Sequence, residues 1–423
     1  MIQTWPSFRL KEICDISSSR RIRAHEYTKS GVPFYRGKEI IEKHNGALKV
    51  TTDLFISEKR FSEVCAKNGA PSAGDLLLTS VGTLGVPYVV KPGERFYFKD
   101  GNLTWFRKFD KIISDYLYYW FLSPSGKAEL KRCTIGSSQP AFTIVLLKDI
   151  EIALPPLAVQ QRIASILSAY DDLIDNNTRR IEILEEIAQR LYEEWFVYFR
   201  FPGHEEMGFK ESELGEIPEG WEVQELGNVA QINPEAIKPK SAPDDVHYID
   251  IASVSPGRID KAETMQFSNA PGRARRIVRS GDVLWSCVRP NRRSCAMIIE
   301  PEKDTVASTG FAVLRAESIS KHYLYQYVRA DQFVSYLVNR ATGAAYPAVK
   351  ASDFKEAVII VPQGDILSHF DDSVAPMRSL IHRLERKNAN LRAQRDLLIP
   401  KLISGEVDVS DIPMPEDKEV EAA

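Results

Sequence analysis

One feature narrows the folds open to this chain more than any other: it repeats itself at an offset of 207 residues. Gly74-Asp75-Leu76-Leu77-Leu78-Thr79-Ser80 recurs as Gly281-Asp282-Val283-Leu284-Trp285-Ser286-Cys287. Gly136-Ser137-Ser138-Gln139-Pro140-Ala141-Phe142 recurs as Gly343-Ala344-Ala345-Tyr346-Pro347-Ala348-Val349, and Pro155 recurs as Pro362. Nearer the start of each copy the offset drifts, with Trp5 matching Trp221 and Tyr35 matching Tyr248, as loop insertions produce. Several matches at one offset exceed what chance similarity of short apolar runs supplies. The chain therefore reads as two similar halves.

Each half has two textures. Residues 1–155 and 201–362 are mixed. Short β-type runs such as Leu76–Thr79, Pro87–Val90 and Ile150–Leu154 are broken by Gly and Pro turns. Among them lies an aromatic stretch of helical period, Tyr116–Leu122 in the first copy and Tyr323–Val328 in the second. These segments are expected to be α+β globules.

The segments that follow, 156–200 and 363–408, are expected to be long helices. Ile163, Leu167, Tyr170, Ile174, Asn177, Ile181, Leu184, Ala188, Leu191 and Trp195 step by alternating four and three residues, the period of a coiled-coil seam. Adding 207 gives Phe370, Val374, Met377, Ile381, Leu384, Asn388, Leu391, Arg395, Leu398 and Leu402. The second helix thus keeps the register of the first, over a length on the order of 60 Å. Pro376 and Pro400 predict a kink or late start in the second helix and its termination.

Charge separates the two helices. The first carries Asp171, Asp172, Asp175, Glu182, Glu185, Glu186, Glu193 and Glu194; the second carries Arg378, Arg383, Arg386, Lys387, Arg392 and Arg395. Opposite flanks favour pairing unlike helices. If they run antiparallel with residue numbers in a layer summing to 565, every seam position meets a seam position, and Asn177 shares a layer with Asn388. A parallel dimer would set Asn177 against Leu384 and leave a buried amide unpaired. The expected fold is therefore α+β: two similar globules separated by two long helices that form an antiparallel intramolecular coiled coil with a pseudo-twofold.

Composition closes other routes. Hydrophobic residues make up 43% and charged residues 27%, and no apolar stretch is long enough to span a membrane. Cys14, Cys65, Cys133, Cys287 and Cys295 form no C-x-x-C pair, so they read as reduced thiols of a cytoplasmic protein. A net charge of −3 excludes a uniformly basic coat, and any nucleic-acid binding must come from local patches. No catalytic constellation is present. Gly31 to Lys38 resembles a phosphate loop, but its glycine spacing is one residue too long and Glu39 stands where Ser or Thr is needed. Asn233-Pro234 continues with Glu235 rather than the proline and aromatic of amine-methylating enzymes, and Asp244-Asp245 lacks a nuclease partner. Asp75 and Asp282 read as turn caps. The histidines show no ligand spacing, and no metal site is expected.

Several strings resemble the specificity subunits of Type I restriction-modification enzymes. They are Leu154-Pro155-Pro156-Leu157 with Gln160-Gln161-Arg162-Ile163, the stretch Ser212 to Val223 that opens the second globule, and Leu398-Ile399-Pro400-Lys401-Leu402-Ile403-Ser404-Gly405-Glu406-Val407. The resemblance spans all but the acidic tail, 409–423, expected to be flexible. Val361-Pro362-Gln363-Gly364 departs from it by lacking the paired prolines. The resemblance implies that each globule is a target-recognition domain reading one half of a bipartite double-stranded DNA site, with no catalysis by this chain. Its implied partners are two methylation subunits, which bring S-adenosylmethionine and flip one adenine per half-site, and restriction subunits, which bring ATP and Mg. The helices would set the gap: removing one heptad from each should shorten it by about 10 Å, roughly three base pairs. The alternatives are a specificity subunit of a Type II restriction enzyme and a coiled-coil scaffold that does not bind DNA.

Reading DNA needs positive charge for phosphates and donors for base edges. In the second globule Arg273, Arg275, Arg276, Arg279, Arg289, Arg292 and Arg293 occur with one acid, Asp282, among them. The first globule has a smaller cluster, Arg20, Arg21, Arg23 and Lys38. The loops after the Gly-Asp strands supply further candidates: Ser80, Gly82 and Thr83 in one, Arg289, Asn291 and Arg292 in the other. The third pair is Gln139, whose amide suits adenine, and Tyr346.

Overall fold

The computed structural model describes residues 5–47, 50, 52–238 and 242–413. The chain forms two compact units, Met1–Arg179 with Leu384–Ala423, and Arg180–Arg383. Each unit holds one globule and part of each long helix.

In the first unit the Gly-Asp run becomes an inner strand. β1 (Asp15–Ser17), β2 (Leu76–Thr79), β3 (Pro87–Val89) and β4 (Leu103–Arg107) form one sheet in the order β1-β4-β2-β3. Leu77 of β2 lies opposite Trp105 on one side and Tyr88 on the other, both antiparallel. All three leucines of β2 are fully buried, and they divide by the two-residue period of a strand. Leu76 and Leu78 pack with Phe106, Tyr116, Leu117 and Phe121, and Leu77 with Tyr88, Phe98 and Trp105. A strand covered on both faces has no polar face to show, hence the unbroken apolar run; each leucine contributes about 1.5–3 kcal/mol.

The second unit repeats this. β5 (Ala230–Ile232), β6 (Val283–Ser286), β7 (Cys295–Met297) and β8 (Phe311–Ala316) follow the order β5-β8-β6-β7. Val283 and Trp285 enter one core and Leu284 another. The aromatic helices, Ser114–Leu122 and Lys321–Arg329, keep the offset. A second four-stranded sheet in each unit contains one parallel pairing, Phe34 with Tyr97 and Tyr248 with Val306. The two aspartates cap their turns as expected. Asp75 accepts from the Ser72 N–H at 2.9 Å, and Asp282 from the Arg279 N–H at 2.8 Å.

α1 spans Leu157–Tyr192 and α2 spans Gly364–Ile403. Their first residues differ by 207, so the missing second proline before α2 does not move its start. Gln160, fully buried, fixes the start of α1. Its amide donates to the carbonyls of Lys111 (2.8 Å) and Pro155 (2.9 Å) and accepts from the Ile113 N–H at 3.1 Å.

Within the first unit α1 and α2 run antiparallel. Asn177 Nδ2 donates to Asn388 Oδ1 at 2.8 Å, Asp171 pairs with Arg395, and Ile163 and Leu167 share a core with Ile399 and Leu402. Within the second unit Trp195 meets Phe370, ring centroids 5.9 Å apart. Glu185 pairs there with Arg378, and Ala188 and Tyr192 pack with Val374. Asn177 with Asn388 and Trp195 with Phe370 both obey the sum of 565. No seam position is exposed.

The two prolines act differently from each other. Pro376 does not delay α2, which begins well before it at Gly364, whereas Pro400 lies in the last turn of the helix, which terminates at Ile403 as expected. A helix-interior proline costs about 3 kcal/mol. Phe370, Val374, Ile381 and Leu384 flank Pro376, and Ile399, Leu402 and Ile403 flank Pro400, all buried. At about 1.5–3 kcal/mol per fully buried side chain, packing outweighs the missing N–H. α1 also departs from expectation at its end, where Glu193–Val197 forms a π-helical turn. The wider turn lets consecutive residues reach one aromatic cluster, Trp195 against Phe370 and Phe196 against Tyr323 with centroids 4.6 Å apart.

The acidic tail is not free from its first residue. Val409 is buried in the core of the first unit, and Arg162 Nε donates to the Ile412 carbonyl at 2.7 Å. Residues 414–423 lie outside the described residues. No described helix is long and apolar enough to cross a membrane.

Candidate nucleic-acid interface

In the second unit, the loop leaving β6 is zipped to the turn 342–348. Val288 forms an antiparallel bridge with Ala348, the Arg289 N–H donates to the Pro347 carbonyl at 2.7 Å, and the Val349 N–H donates to the Cys287 carbonyl at 2.9 Å. Burial pushes the Cys287 thiol up to about 11 despite the nearby Arg276 guanidinium. The sequence candidates Arg289 and Tyr346, far apart in the chain, thereby become neighbours. The Arg289 guanidinium lies 4.6 Å from the Tyr346 ring centroid, and its Nη2 donates to the Ala345 carbonyl at 3.2 Å. Tyr346 is 68% exposed.

The loop's backbone is unusual. Arg289 and Arg293 both have φ of 54°, flanking a 3₁₀ turn at Pro290–Arg292. A side chain in this left-handed region costs about 1–2 kcal/mol. At the position equivalent to Arg289, 207 residues earlier, the first unit has Gly82 with φ 81°, and glycine adopts that conformation freely.

Charge pairing re-sorts the seven arginines. Arg273 is held by Asp250 at 2.7 Å, Arg279 by Glu235 at 2.7 Å, and Arg293 by Asp331. Arg275 lies over the Phe267 ring, 4.8 Å from its centroid, and Arg276 has its Nε buried without a partner. Arg273, Arg275, Arg276 and Arg279 sit on or beside the strand Ala274–Ile277. The seven therefore do not form one uniform surface. Asp282 does not face the candidate loop's solvent side. It is buried beneath Arg315, which binds it with two bonds of 2.8 Å. Among the described residues Arg275, Arg289 and Arg292 have no carboxylate partner; Arg275 lies on the strand, whereas Arg289 and Arg292 belong to the loop, with Asn291 and Arg292 exposed at its tip.

The first unit has the same frame with other side chains. Val81 bridges Ala141, which sets the loop 80–85 beside the turn 136–141 and brings Gly82 and Thr83 next to exposed Gln139. Both turns need glycine. A Cβ on Gly136 would stand 2.9 Å from the Gln139 carbonyl oxygen, and one on Gly343 would stand 3.1 Å from that of Tyr346. Ser80 is a correction: it is buried, and its hydroxyl is engaged with Thr104 Oγ1 at 2.7 Å and the Leu78 carbonyl at 3.2 Å. It faces the sheet, not a ligand.

The basic cluster of the first unit divides. Lys38 opens the helix Gly37–His44, and a Cβ on neighbouring Gly37 would lie 3.9 Å from the Val81 carbonyl, so Lys38 stands beside the candidate loop. Arg20, Arg21 and Arg23 lie in the segment before strand Tyr27–Thr28. Arg21 leans toward Asp100 at 3.9 Å, and the Arg23 N–H donates to Glu26 at 2.6 Å. The resemblance to a phosphate loop at Gly31–Lys38 fails on geometry. Strand Val32–Tyr35 runs almost directly into the helix. Glu39 is fully buried, its carboxylate accepting from the Arg36 N–H and guanidinium at 2.7 Å each. Asn233 likewise has a structural task, its Oδ1 accepting from the Val313 N–H at 3.0 Å.

Two cations escaped the sequence reading. Leu130 of helix Pro124–Arg132 reaches to 3.2 Å from where a Cβ on Gly85 would stand, and the same helix carries exposed Lys127 and Lys131. The i,i+4 lysine spacing was visible; the helix's position beside the loop was not.

Residues 2–186 match the family described as Type I restriction modification DNA specificity domain. The MjaIX specificity subunit of a Type I restriction enzyme from Methanocaldococcus jannaschii is 27% identical, over 96% of this chain and 94% of that protein. The MjaVIII specificity subunit from the same organism is 24% identical over 84% of each. The crystal structure of a Type I restriction-modification system S subunit from M. genitalium shares the fold, with a TM-score of 0.56 and 13% identity over 94% of this chain and 96% of that one.

Proposed function

We propose, from the premise that this chain is a relative of the Type I restriction enzyme specificity subunits along nearly its whole length, that it is the DNA-reading subunit of such a system. Each globule contacts one short part of a bipartite duplex site. The chain performs no bond chemistry. Two methylation subunits bring S-adenosylmethionine to the adenines, and restriction subunits bring ATP and Mg for cleavage.

One observation carries this reading. The two globules hold the same loop-and-turn frame, bridged at Val81–Ala141 and Val288–Ala348, yet fill it with different side chains, Gly82, Thr83 and Gln139 against Arg289, Asn291, Arg292 and Tyr346. A shared scaffold with divergent tips is what two heads reading unlike half-sites require. The first frame takes its positive charge from Lys127 and Lys131 beside a neutral loop, with Lys38 paired to Glu42 at 3.5 Å. The second carries it on the loop itself.

The test is a salt-titrated binding assay on duplex carrying the recognised site. The triple variant Arg289→Ala, Arg292→Ala, Arg293→Ala should weaken cognate binding by about tenfold or more. It should also flatten the salt dependence, since each phosphate that the protein ceases to neutralise takes about 0.9 off the log–log slope. Unchanged affinity and slope would discard this loop as the interface.

A further inference from the structure

We propose that Arg289, stacked on Tyr346, is the guanine reader of the second globule, so the half-site read there contains a G·C pair at the step Arg289 meets. This rests on the reading of the chain as a DNA-specificity subunit.

Backbone conformation is the first ground. Arg289 holds a left-handed φ of 54° at the position where the first globule places Gly82 with φ 81°. The fold needs that conformation in both copies, and glycine supplies it without strain. An arginine there is disfavoured by the clash of its Cβ with the backbone, and strained positions of this kind concentrate at ligand-contacting sites.

The second ground is how the side chain is held. Its guanidinium rests 4.6 Å from the Tyr346 ring centroid, which orders the plane of the group and leaves its edge open. The Tyr346 ring is itself 68% exposed, so the stack stands at the surface. The Nη2 bond to the Ala345 carbonyl, 3.2 Å, uses one of the five guanidinium N–H donors, leaving four. The loop beneath is clamped by the Arg289 N–H to Pro347 carbonyl bond and the Val288–Ala348 bridge. Unlike Arg273, Arg279 and Arg293, Arg289 has no carboxylate partner among the described residues.

Chemistry supplies the third ground. A flat, pre-ordered donor fork matches two acceptors side by side. In the major groove guanine alone offers that pair, O6 and N7; adenine sets a donor beside N7, and cytosine presents a donor. A phosphate would also accept such a fork, but it carries no sequence information and needs no pre-ordered plane. The equivalent positions of the first globule, Gly82 and Gln139, place no cation in the loop or turn. An amide reads adenine, so the two half-sites are expected to differ.

The experiment selects bound duplexes from a randomised library with the full-length chain in complex with its methylation subunit, followed by sequencing. The wild type should yield a bipartite site with guanine fixed in one half. Arg289→Lys keeps the charge and the backbone demand but not the fork. It should reduce preference for that guanine by about 10-fold to 100-fold, with preferences in the other half-site as internal control. Tyr346→Ala, at an exposed position, should weaken the same preference and no other. A bipartite site whose guanine preferences all survive Arg289→Lys would overturn the inference while leaving the DNA-reading function intact. A uniform loss across all sequences would assign Arg289 to phosphate and overturn it equally. Selection of no sequence by the wild type would sink the functional reading itself.

Discussion

Replacing Asn388 by alanine removes the acceptor of a buried hydrogen bond and tests the helix register at one layer. Asn177 and Asn388 are each 3% exposed, so water cannot readily take the missing partner's place. The Asn177 Nδ2 to Asn388 Oδ1 bond of 2.8 Å would go, leaving the Asn177 amide desolvated and unpaired, at a cost of about 1–3 kcal/mol. Asn388 Nδ2 also reaches Thr178 Oγ1 at 3.3 Å and the Ile174 carbonyl at 3.4 Å. Asn388→Ala should therefore cost more than Asn177→Ala, by roughly 0.5–1 kcal/mol. Because the two amides satisfy each other, the double variant should cost about 1–2 kcal/mol less than the sum of the singles. Urea unfolding followed by hydrogen–deuterium exchange in peptides covering residues 163–177 reports the stability of this segment. Strict additivity of the two substitutions would refute the shared layer, and with it the antiparallel register.

Two further outcomes follow from buried charge in the second unit. Burial pushes the Glu185 carboxyl up, but the guanidiniums of Arg378 and Arg329 outweigh it and hold the group below its usual range. Glu185→Gln leaves Arg378, with a side chain only 4% exposed, without its counter-charge. It should destabilise the unit by about 3–5 kcal/mol, seen as a melting temperature lower by roughly 6–20 °C; a shift under about 2 °C would show the pair to be idle. Burial, with Lys321 and Arg378 nearby, lowers His322 from 6.5 to about 4. The folded state thus resists protonation that the unfolded chain accepts, so stability present above pH 6.5 is lost as pH falls from 6.5 towards 4. Calorimetry of His322→Gln against wild type at pH 7 and pH 4 should show the variant gaining relative stability on acidification, on the order of 3 kcal/mol; a pH-independent difference would contradict it.

Much of the architecture was legible because it is written in local, repeated choices. The 207-residue offset appears in matched strings, and the seam appears as a four-three alternation that a single sequence displays. The layer sum sets Asn177 against Asn388 from sequence alone, because only that register pairs both buried amides. The end of the second helix near Pro400 was legible, but the late start expected from Pro376 was misread for a reason of scale. Propensity at Pro376 is a local cost, whereas the burial of Phe370 and Val374 is a tertiary gain no window of sequence reveals. The candidate interface was half legible. Loops and turns were found by repetition, but their zippering depends on backbone bridges between segments more than fifty residues apart. The arginine cluster looked uniform in sequence because its acids are distant: Asp250, Glu235 and Asp331 come from other elements. Ser80 looked like a loop hydroxyl because its partner, Thr104, sits across the sheet.

The most direct measurement is methylome sequencing of a host that expresses this chain with the methylation subunit proposed as its partner. Modified adenines should fall in a single interrupted motif, two short defined parts separated by a gap of fixed length and free sequence. Methylation at one uninterrupted motif, or none that depends on this chain, would contradict the picture of two globules reading two half-sites.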